Sequence, residues 1–352
     1  MLFIENNICR RKRNSSHEKI EKALKIEYGI SVSSIIKLDI GFDQNTYVYK
    51  ICSKDKNEYF LKIRSKIFNK ASLIIPLWIS GNLNAKNVIN VVKTIKRELY
   101  AKESSQYFIL YPFIAGQSGW DRSLTDEQFI KFGKFVNNLH SLELPNKYKK
   151  LLPVEAYSSK YRNNVKKHLN NISKIKYKSK IKYKSKIKYK SKMINDFLKN
   201  LLAKKEIIFE IINASEKIIG NEKNNLQKMC VCHGDIHAGN ILITETDFFI
   251  IDWDTILLSP IERDLMFIGG GICNKWNDKK EIECFYAGYG KSADINRKLL
   301  KYYRHERIIQ DIYEFYNQII NTETSEEECE LCIKYFNEQF EPNNAVDIAL
   351  GT

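Results

Sequence analysis

The stretch "VCHGDIHAGNILI" (residues 231–243), followed by "FFIIDWD" (248–254), decides how this chain is read. Two apolar runs alternate with polar residues of a few kinds: Asp235, an amide five residues on at Asn240, and a second carboxylate at Asp252. If 228–232 is a strand, Cys230 and Cys232 point to one face and His233 begins a turn. Asp235 and Asn240 then share the loop after that strand. Asp252 ends the next strand, seventeen residues beyond Asp235.

Working outward, the chain changes character near its first third. Residues 16–29 predict a helix with Ile20, Ala23, Leu24 and Tyr28 on one face. Strand-like runs follow at 34–40, 46–52 and 58–64, and a further group at 87–98 and 107–114. From 124 the spacing turns helical, with Thr125 placed as an N-cap. Residues 157–172, 193–219 and 296–320 also show helical spacing. The expected architecture is α+β and two-lobed. A small β-rich lobe covers 1–112, with 1–15 flexible. A hinge lies near Pro112, and a larger, mostly helical lobe covers 113–352.

Composition narrows the class. The 352 residues carry a net charge of +15, which suggests an anionic partner such as nucleic acid. Most of that charge has one source. "KIKYKS" occurs three times in succession over 174–191, and Lys192 follows; without these ten lysines the net charge would be +5. The repeat (174–192) lies between two helical runs and reads as a solvated, mobile insertion. The alternative is an RNA or anionic-surface contact in which Tyr177, Tyr183 and Tyr189 interleave the lysines. No apolar run reaches the roughly 18–20 residues of a membrane span. The N-terminus shows no secretory pattern, so the expected location is cytoplasmic. The eight cysteines are expected to stay reduced. Cys329 and Cys332 read as neighbours on a helix rather than half a zinc site, and "CVCHGDIH" (230–237) is not read as a metal cluster.

A carboxylate, an amide and a second carboxylate in this order suit phosphoryl transfer. Its transition state is loose, so positioning and charge neutralisation dominate. One carboxylate meets the acceptor hydroxyl; an amide oxygen and the other carboxylate can hold a hard cation. The segment resembles the "HGDxHxGN…IDW" signature of the aminoglycoside phosphotransferases, relatives of the protein kinases. "SPIERDLMFIGGGICNKWN" (259–277), "FYAGYG" (285–290), "YYRHERIIQDI" (302–312) and "FEPNNAVDIA" (340–349) resemble family members that phosphorylate spectinomycin. The similarity runs from about residue 17 to 349 and is densest after 228.

The resemblance implies a protein-kinase-like fold and an enzyme that uses ATP, or GTP in its place, with Mg²⁺. The implied acceptor is a hydroxyl of an aminocyclitol antibiotic such as spectinomycin, and the implied role antibiotic resistance. Asp235 would be the catalytic base or hydroxyl-positioning residue, and Asn240 and Asp252 would hold Mg²⁺. Lys62 matches the strand lysine that contacts nucleotide phosphates. Gly41 and Asn45 lie in "GFDQNTYVYK" (41–50), in place of the phosphate-covering loop, and Asn45 is otherwise a turn residue. The "LYPFI" backbone (110–114), with Tyr111 and Phe113, would meet the adenine edge.

Asp254 and Glu262 either meet a cationic amine or are solvated loop carboxylates. Trp276 and Tyr289 either wall the acceptor pocket or belong to the core. His233 reads as a brace for the loop, and Asp264 as a helix cap. One departure stands out. Kinases of this fold pair the strand lysine with a Glu on the following helix. No Asp or Glu occurs from Tyr59 to Arg97, and Pro76 disfavours a regular helix there. The partner is absent, supplied from elsewhere, or differently placed. Two rival readings remain: a housekeeping kinase for choline-like, amino-alcohol or sugar acceptors, and an impaired kinase whose lysine repeat binds an anionic partner.

Overall fold

The computed structural model describes residues 15–38, 46–177, 188–222, 228–290, 295–320 and 324–351. Gly41 and Asn45, the segment 1–14 and the centre of the lysine repeat lie outside them. The chain divides into two compact units, one running to Gly116 and the other from Gln117.

The first unit begins with α1 (Ser15–Tyr28), β1 (Val32–Leu38), β2 (Thr46–Ser53) and β3 (Glu58–Arg64). It ends with α2 (Ala71–Asn82), β4 (Ala101–Glu103) and β5 (Gln106–Pro112). Its antiparallel sheet has the order β1-β2-β3-β5-β4. Alternation sorts the side chains between two faces. Tyr49, Ile51, Leu61, Ile63, Phe108 and Leu110 pack with Ile20, Ala23 and Leu24 of α1. The Tyr28 hydroxyl fixes that helix by donating to the Phe108 carbonyl at 2.7 Å. Ile109 faces the other way and packs with Leu73 of α2 and Val91.

Two expectations fail in this unit. The run 87–98 is not a strand. Its valines, at 88, 91 and 92, lie in irregular chain outside any strand, with Val88 and Val91 buried and the Val92 N–H donating to the Leu110 carbonyl at 2.7 Å. The second is Pro76, which sits inside α2 instead of preventing it. Proline removes one ladder donor, but Ala71, Leu73, Ile75, Pro76 and Ile79 are all buried. Apolar burial therefore outweighs the missing bond. No acidic residue occurs in α2.

The second unit runs β6 (Gln117–Ser118), α3 (Asp126–His140), α4 (Asn146–Lys149), α5 (Lys160–Tyr177), α6 (Lys188–Ala203), α7 (Lys205–Glu222) and β7 (Cys230–Cys232). Then come β8 (Ile241–Ile243), β9 (Phe248–Ile250), β10 (Leu257–Ser259), α8 (Glu262–Leu265), α9 (Lys279–Tyr289), α10 (Arg297–Ile320), α11 (Glu326–Glu338) and α12 (Ala345–Gly351). Thr125 caps α3 in a reciprocal box with Gln128. Close packing of α3 on α9 depends on Gly133, where a Cβ would come within 2.0 Å of the Phe285 carbonyl oxygen.

The helical run at 193–219 divides into α6 and α7. The break lets Phe197 and Leu201 of one, and Ile208, Ile211 and Ile212 of the other, reach a single core with Ile308, Ile309 and Ile312 of α10. Flanking helices extend into the ends of the lysine repeat, to Tyr177 and from Lys188. Extending a formed helix costs far less than starting one. Cys329 and Cys332 are buried on α11. Among the described residues no helix is long and apolar enough to cross a membrane.

Candidate active site

The polar groups of the opening motif meet at the ends of short strands. β7 pairs with β10, and β8 with β9, both antiparallel. Ile241 pairs with Ile250, so Asn240, just before β8, and Asp252, just after β9, emerge at the same end of that hairpin. The Ile251 N–H continues the pairing by donating to the Asn240 carbonyl at 3.0 Å.

The 233–240 loop is held by buried groups. Asp264, 1 % exposed, accepts the N–H of His233 at 2.8 Å and that of Gly234 at 2.7 Å. Its role is to clamp the loop from within α8, and it caps no helix. A carboxylate offers several acceptor sites and can hold two convergent amides at once. Burial alone would raise the Asp264 carboxyl, but the His140 hydrogen bond and charge and the bound amides bring it below the usual range. His140 lies 3.2 Å from Asp264 through Nε2 and 2.9 Å from the Tyr289 hydroxyl through Nδ1.

His233 is fully buried and spans the loop and the strand that leads to Asp252. Its Nε2 lies 3.0 Å from the Ile251 carbonyl, and its Nδ1 accepts the Asp235 N–H at 3.3 Å. These bonds specify the tautomer protonated at Nε2. Burial lowers its pKa. His233 therefore braces the loop. Gly234, at φ +84°, makes the turn possible: a Cβ there would lie 2.5 Å from the Thr255 carbonyl oxygen.

Asp235 and Asn240 follow on this frame. The Asn240 Nδ2 donates to the Asp235 carbonyl at 2.7 Å and lies 3.5 Å from His237 Nε2. The hydrogen bond to the Asp235 carbonyl uses the nitrogen, so the amide oxygen remains an acceptor. Asp252 is exposed and left-handed, at φ 58° and ψ 67°. A non-glycine residue held in that region commonly marks a functional constraint. An amide oxygen and a carboxylate at one hairpin end form a hard-oxygen donor set of the kind Mg²⁺ takes.

The Asp235 side chain has a partner that the sequence did not reveal. Arg307, on α10, ion-pairs through Nη1 with Asp235 Oδ1. Its Nε lies 2.9 Å from Asp311, one turn further along the helix. His237 Nε2 lies 3.5 Å from Oδ2, with its ring stacked on Trp120 at 5.1 Å. Burial would raise the Asp235 carboxyl, but Arg307 and then His237 outweigh it and hold it far below the usual range. The only trace of this contact in the sequence is the i, i+4 spacing of Arg307 and Asp311.

The remaining candidates separate. Trp276 is 5 % exposed and packs on Phe129 and Phe132, and Tyr289 is 5 % exposed and stacked on Phe285. Both are core residues. Glu262 is buried and accepts the Asn296 N–H at 2.7 Å; burial raises its carboxyl. Its job here is to hold the start of α10. Asp254 is half-buried within the short turn after Asp252. In the first unit, Lys62 pairs with Val48 and Ile109 and shares the α2-facing side of the sheet. Tyr111 faces the same way and packs against the α2-side cluster. The Phe113 N–H donates to the Glu58 carbonyl at 3.1 Å, and its ring lies 4.3 Å below Lys50 Nζ.

Among the described residues, one group has metal-binding spacing: His140, Cys232 and Asp264, whose ligand atoms lie within 4.8 Å of one another. Protein groups already occupy each of them. The Cys232 thiol donates towards the carbonyls of Ser259 and Pro260, and burial raises its pKa well above that of a free thiol. The trio is a hydrogen-bonded brace beneath the loop.

The chain is similar to known phosphotransferases in sequence and fold. The sequence profile of the phosphotransferase enzyme family matches residues 38–296. Spectinomycin phosphotransferase, solved with ADP and spectinomycin, is 32% identical; the similarity covers 95% of this chain and 97% of that one, with a TM-score of 0.84. Choline kinase from Streptococcus pneumoniae shares the fold at 14% identity, covering 96% of this chain and 100% of that one, with a TM-score of 0.57. Plasmodium vivax ethanolamine kinase does so at 15%, covering 96% and 91%, with a TM-score of 0.55. Among curated protein sequences none matches.

Proposed function

The chain belongs to the phosphotransferase enzyme family, and from that premise we propose that it transfers the γ-phosphoryl group of ATP to a hydroxyl of spectinomycin or a closely related aminocyclitol. Such a transfer would inactivate the antibiotic. The observation that carries this reading is the clamped loop that presents Asp235 and Asn240, with Asp252 at the same hairpin end as Asn240. The 32% identity with spectinomycin phosphotransferase over nearly the whole chain directs the acceptor assignment. The choline and ethanolamine kinases, at 14% and 15%, share only the fold.

Asp235 receives the acceptor hydroxyl and orients its oxygen towards the γ-phosphorus. As that oxygen bonds to phosphorus, the bond to the β–γ bridging oxygen breaks and ADP departs with the electron pair. The hydroxyl proton passes to the Asp235 carboxylate. In a loose transition state the proton can move late, so an aspartate of low basicity suffices. The Asn240 amide oxygen and the Asp252 carboxylate would hold Mg²⁺, which would supply neutralisation of the charge on the nucleotide phosphates. Lys62 is assigned to the nucleotide phosphates, with Gly41 and Asn45 of the sequence segment before β2. The backbone of Tyr111 and the carbonyl of Phe113, whose N–H is taken by Glu58, are assigned to the adenine edge. Asp254 is the acidic candidate nearest Asp252 for an acceptor amine.

The test is ADP release with ATP, and in parallel GTP, against a panel of spectinomycin, other aminoglycosides, choline and ethanolamine. Spectinomycin-dependent release that needs Mg²⁺ and vanishes in Asp235→Asn is the expected result. Turnover of choline or ethanolamine instead transfers the assignment to a housekeeping kinase. Inert wild-type protein that still binds ATP refutes the enzyme assignment.

A further inference from the structure

The two oxygens of the Asp235 carboxylate are in different situations. Oδ1 is ion-paired with Arg307 Nη1, while Oδ2 has His237 Nε2 at a looser 3.5 Å. A carboxylate held at neither oxygen turns readily about its terminal torsion, because sp³–sp² rotations have broad wells. Arg307 is itself fixed. Its Nε lies 2.9 Å from Asp311, its guanidinium sits 5.5 Å over the Phe267 ring, and its side chain is 15 % exposed. Nη1 bonds Asp235 while Nε faces Asp311 in an ion pair that lacks hydrogen-bond geometry, and a planar guanidinium between two carboxylates takes an orientation that a point charge does not. On the other flank, the His237 Nδ1 accepts the Gly239 N–H at 3.0 Å and the ring stacks on Trp120. That ring is also fixed, and 3.5 Å leaves it a weak partner that a hydroxyl can replace.

We propose that Arg307 is a positioning residue for the transfer: it anchors Asp235 through Oδ1, with Asp311 fixing the guanidinium, and leaves Oδ2 as the oxygen that receives the acceptor hydroxyl. This rests on the assignment of Asp235 to the acceptor hydroxyl. The contact joins α10 to the loop after β7 across 72 residues of sequence. The "YYRHERIIQDI" run thereby acquires a role at the site, because it carries both Arg307 and Asp311.

The experiment measures kcat, KM for ATP and melting temperature in the full chain, with spectinomycin as acceptor. Its variants are Arg307→Met, Arg307→Lys, Arg307→Ala and Asp311→Asn, with Asp235→Asn and the double variant Asp235→Asn/Arg307→Met. Misplacing a reacting group by about an ångström costs on the order of 10²-fold. Arg307→Met is therefore expected to lower kcat about 10²-fold, with KM for ATP held within about twofold. Arg307→Lys recovers part of the loss, and Asp311→Asn loses less than Arg307→Met. Added guanidinium ion restores turnover to Arg307→Ala but not to Asp235→Asn, a response that a purely structural role would not give. If Arg307→Met fails to fold, Arg307→Lys and the guanidinium response decide. Unchanged or raised kcat in the Arg307 variants, or equal losses without rescue, overturns the proposal. If wild-type protein turns over no spectinomycin, the acceptor assignment fails, and the melting-temperature cycle then decides the pairing. Asp235→Asn having little further effect once Arg307 is Met supports it, and additive effects overturn it.

Discussion

The backbone N–H of Gly234 donates to the carboxylate of Asp264 at 2.7 Å, thirty residues later in the chain. The same carboxylate takes the His233 N–H at 2.8 Å. One buried side chain thus fixes two consecutive peptides immediately before Asp235, and the loop cannot shift without breaking both bonds. In Asp264→Ala both amides lose their acceptor. An orphaned buried donor costs about 1–3 kcal/mol, so a loss of about 2–6 kcal/mol is expected in urea unfolding. Asp264→Asn keeps the shape and one acceptor oxygen but turns an NH₂ group towards the second amide. It should cost less stability than Ala and still lower kcat about 10²-fold. Equal unfolding midpoints for wild type and Asp264→Ala would falsify the clamp.

Asp235→Asn separates chemistry from nucleotide binding. The amide matches the carboxylate in size but accepts a proton poorly and pairs less well with Arg307. General-base removal typically costs about 10²–10⁴-fold, so kcat should fall within that range. KM for ATP should stay within about twofold, because Asp235 is assigned to the acceptor. A KM for ATP that rises with little change in kcat would move Asp235 to the nucleotide side of the reaction.

Gly234→Ala tests the turn itself. The residue has φ +84°, and a Cβ would meet the Thr255 carbonyl oxygen at 2.5 Å, against backbone that cannot swing aside as a side-chain tip would. Strain of this kind costs about 1–3 kcal/mol before the clash is counted. The variant should melt lower than wild type and lose kcat together with it, through displacement of the adjacent Asp235. Unaltered melting and turnover would mean that the loop relaxes freely, which its buried braces, Asp264 and His233, argue against.

What could be read from the sequence follows from how local each signal is. Alternation located β2 and β3, and Thr125 marked the start of α3, because those patterns lie within a few residues. The spacing of Asp235, Asn240 and Asp252 was legible because one strand hairpin joins Asn240 to Asp252 and Asp235 lies in the loop that leads into it. The run at 87–98 misled because a cluster of β-branched residues serves equally in a strand or as buried irregular chain. Pro76 misled because a local rule was set against the burial of five α2 side chains, which only the fold reveals. Asp264 looked like a cap because its true partners lie some thirty residues back. Arg307 was invisible as a partner of Asp235 because no local pattern encodes a contact across 72 residues.

His305 gives the chain an acid-sensitive point away from the site. It is fully buried on α10, and its Nε2 lies 3.2 Å from the Ala349 carbonyl, which fixes the neutral form protonated there. Its Nδ1 is buried without a hydrogen-bond partner, so a second proton would place an uncompensated cation in the core. Burial pushes the pKa down to about 4 from the ordinary 6.5. Between those values the unfolded chain binds a proton that the folded chain refuses. Stability therefore rises with pH through this window, and it is lost as pH falls from 6.5 towards 4. At about 1.4 kcal/mol per pKa unit the full loss is about 3 kcal/mol. His305→Gln keeps an N–H for Ala349 and cannot titrate. Urea unfolding at about pH 7 and about pH 4.5 should show wild type losing about 2–3 kcal/mol more than His305→Gln. The other histidines and the carboxylates are common to both proteins and cancel in that difference. Parallel losses in the two proteins would show that His305 titrates alike in the folded and unfolded chain, and that burial does not hold its proton off.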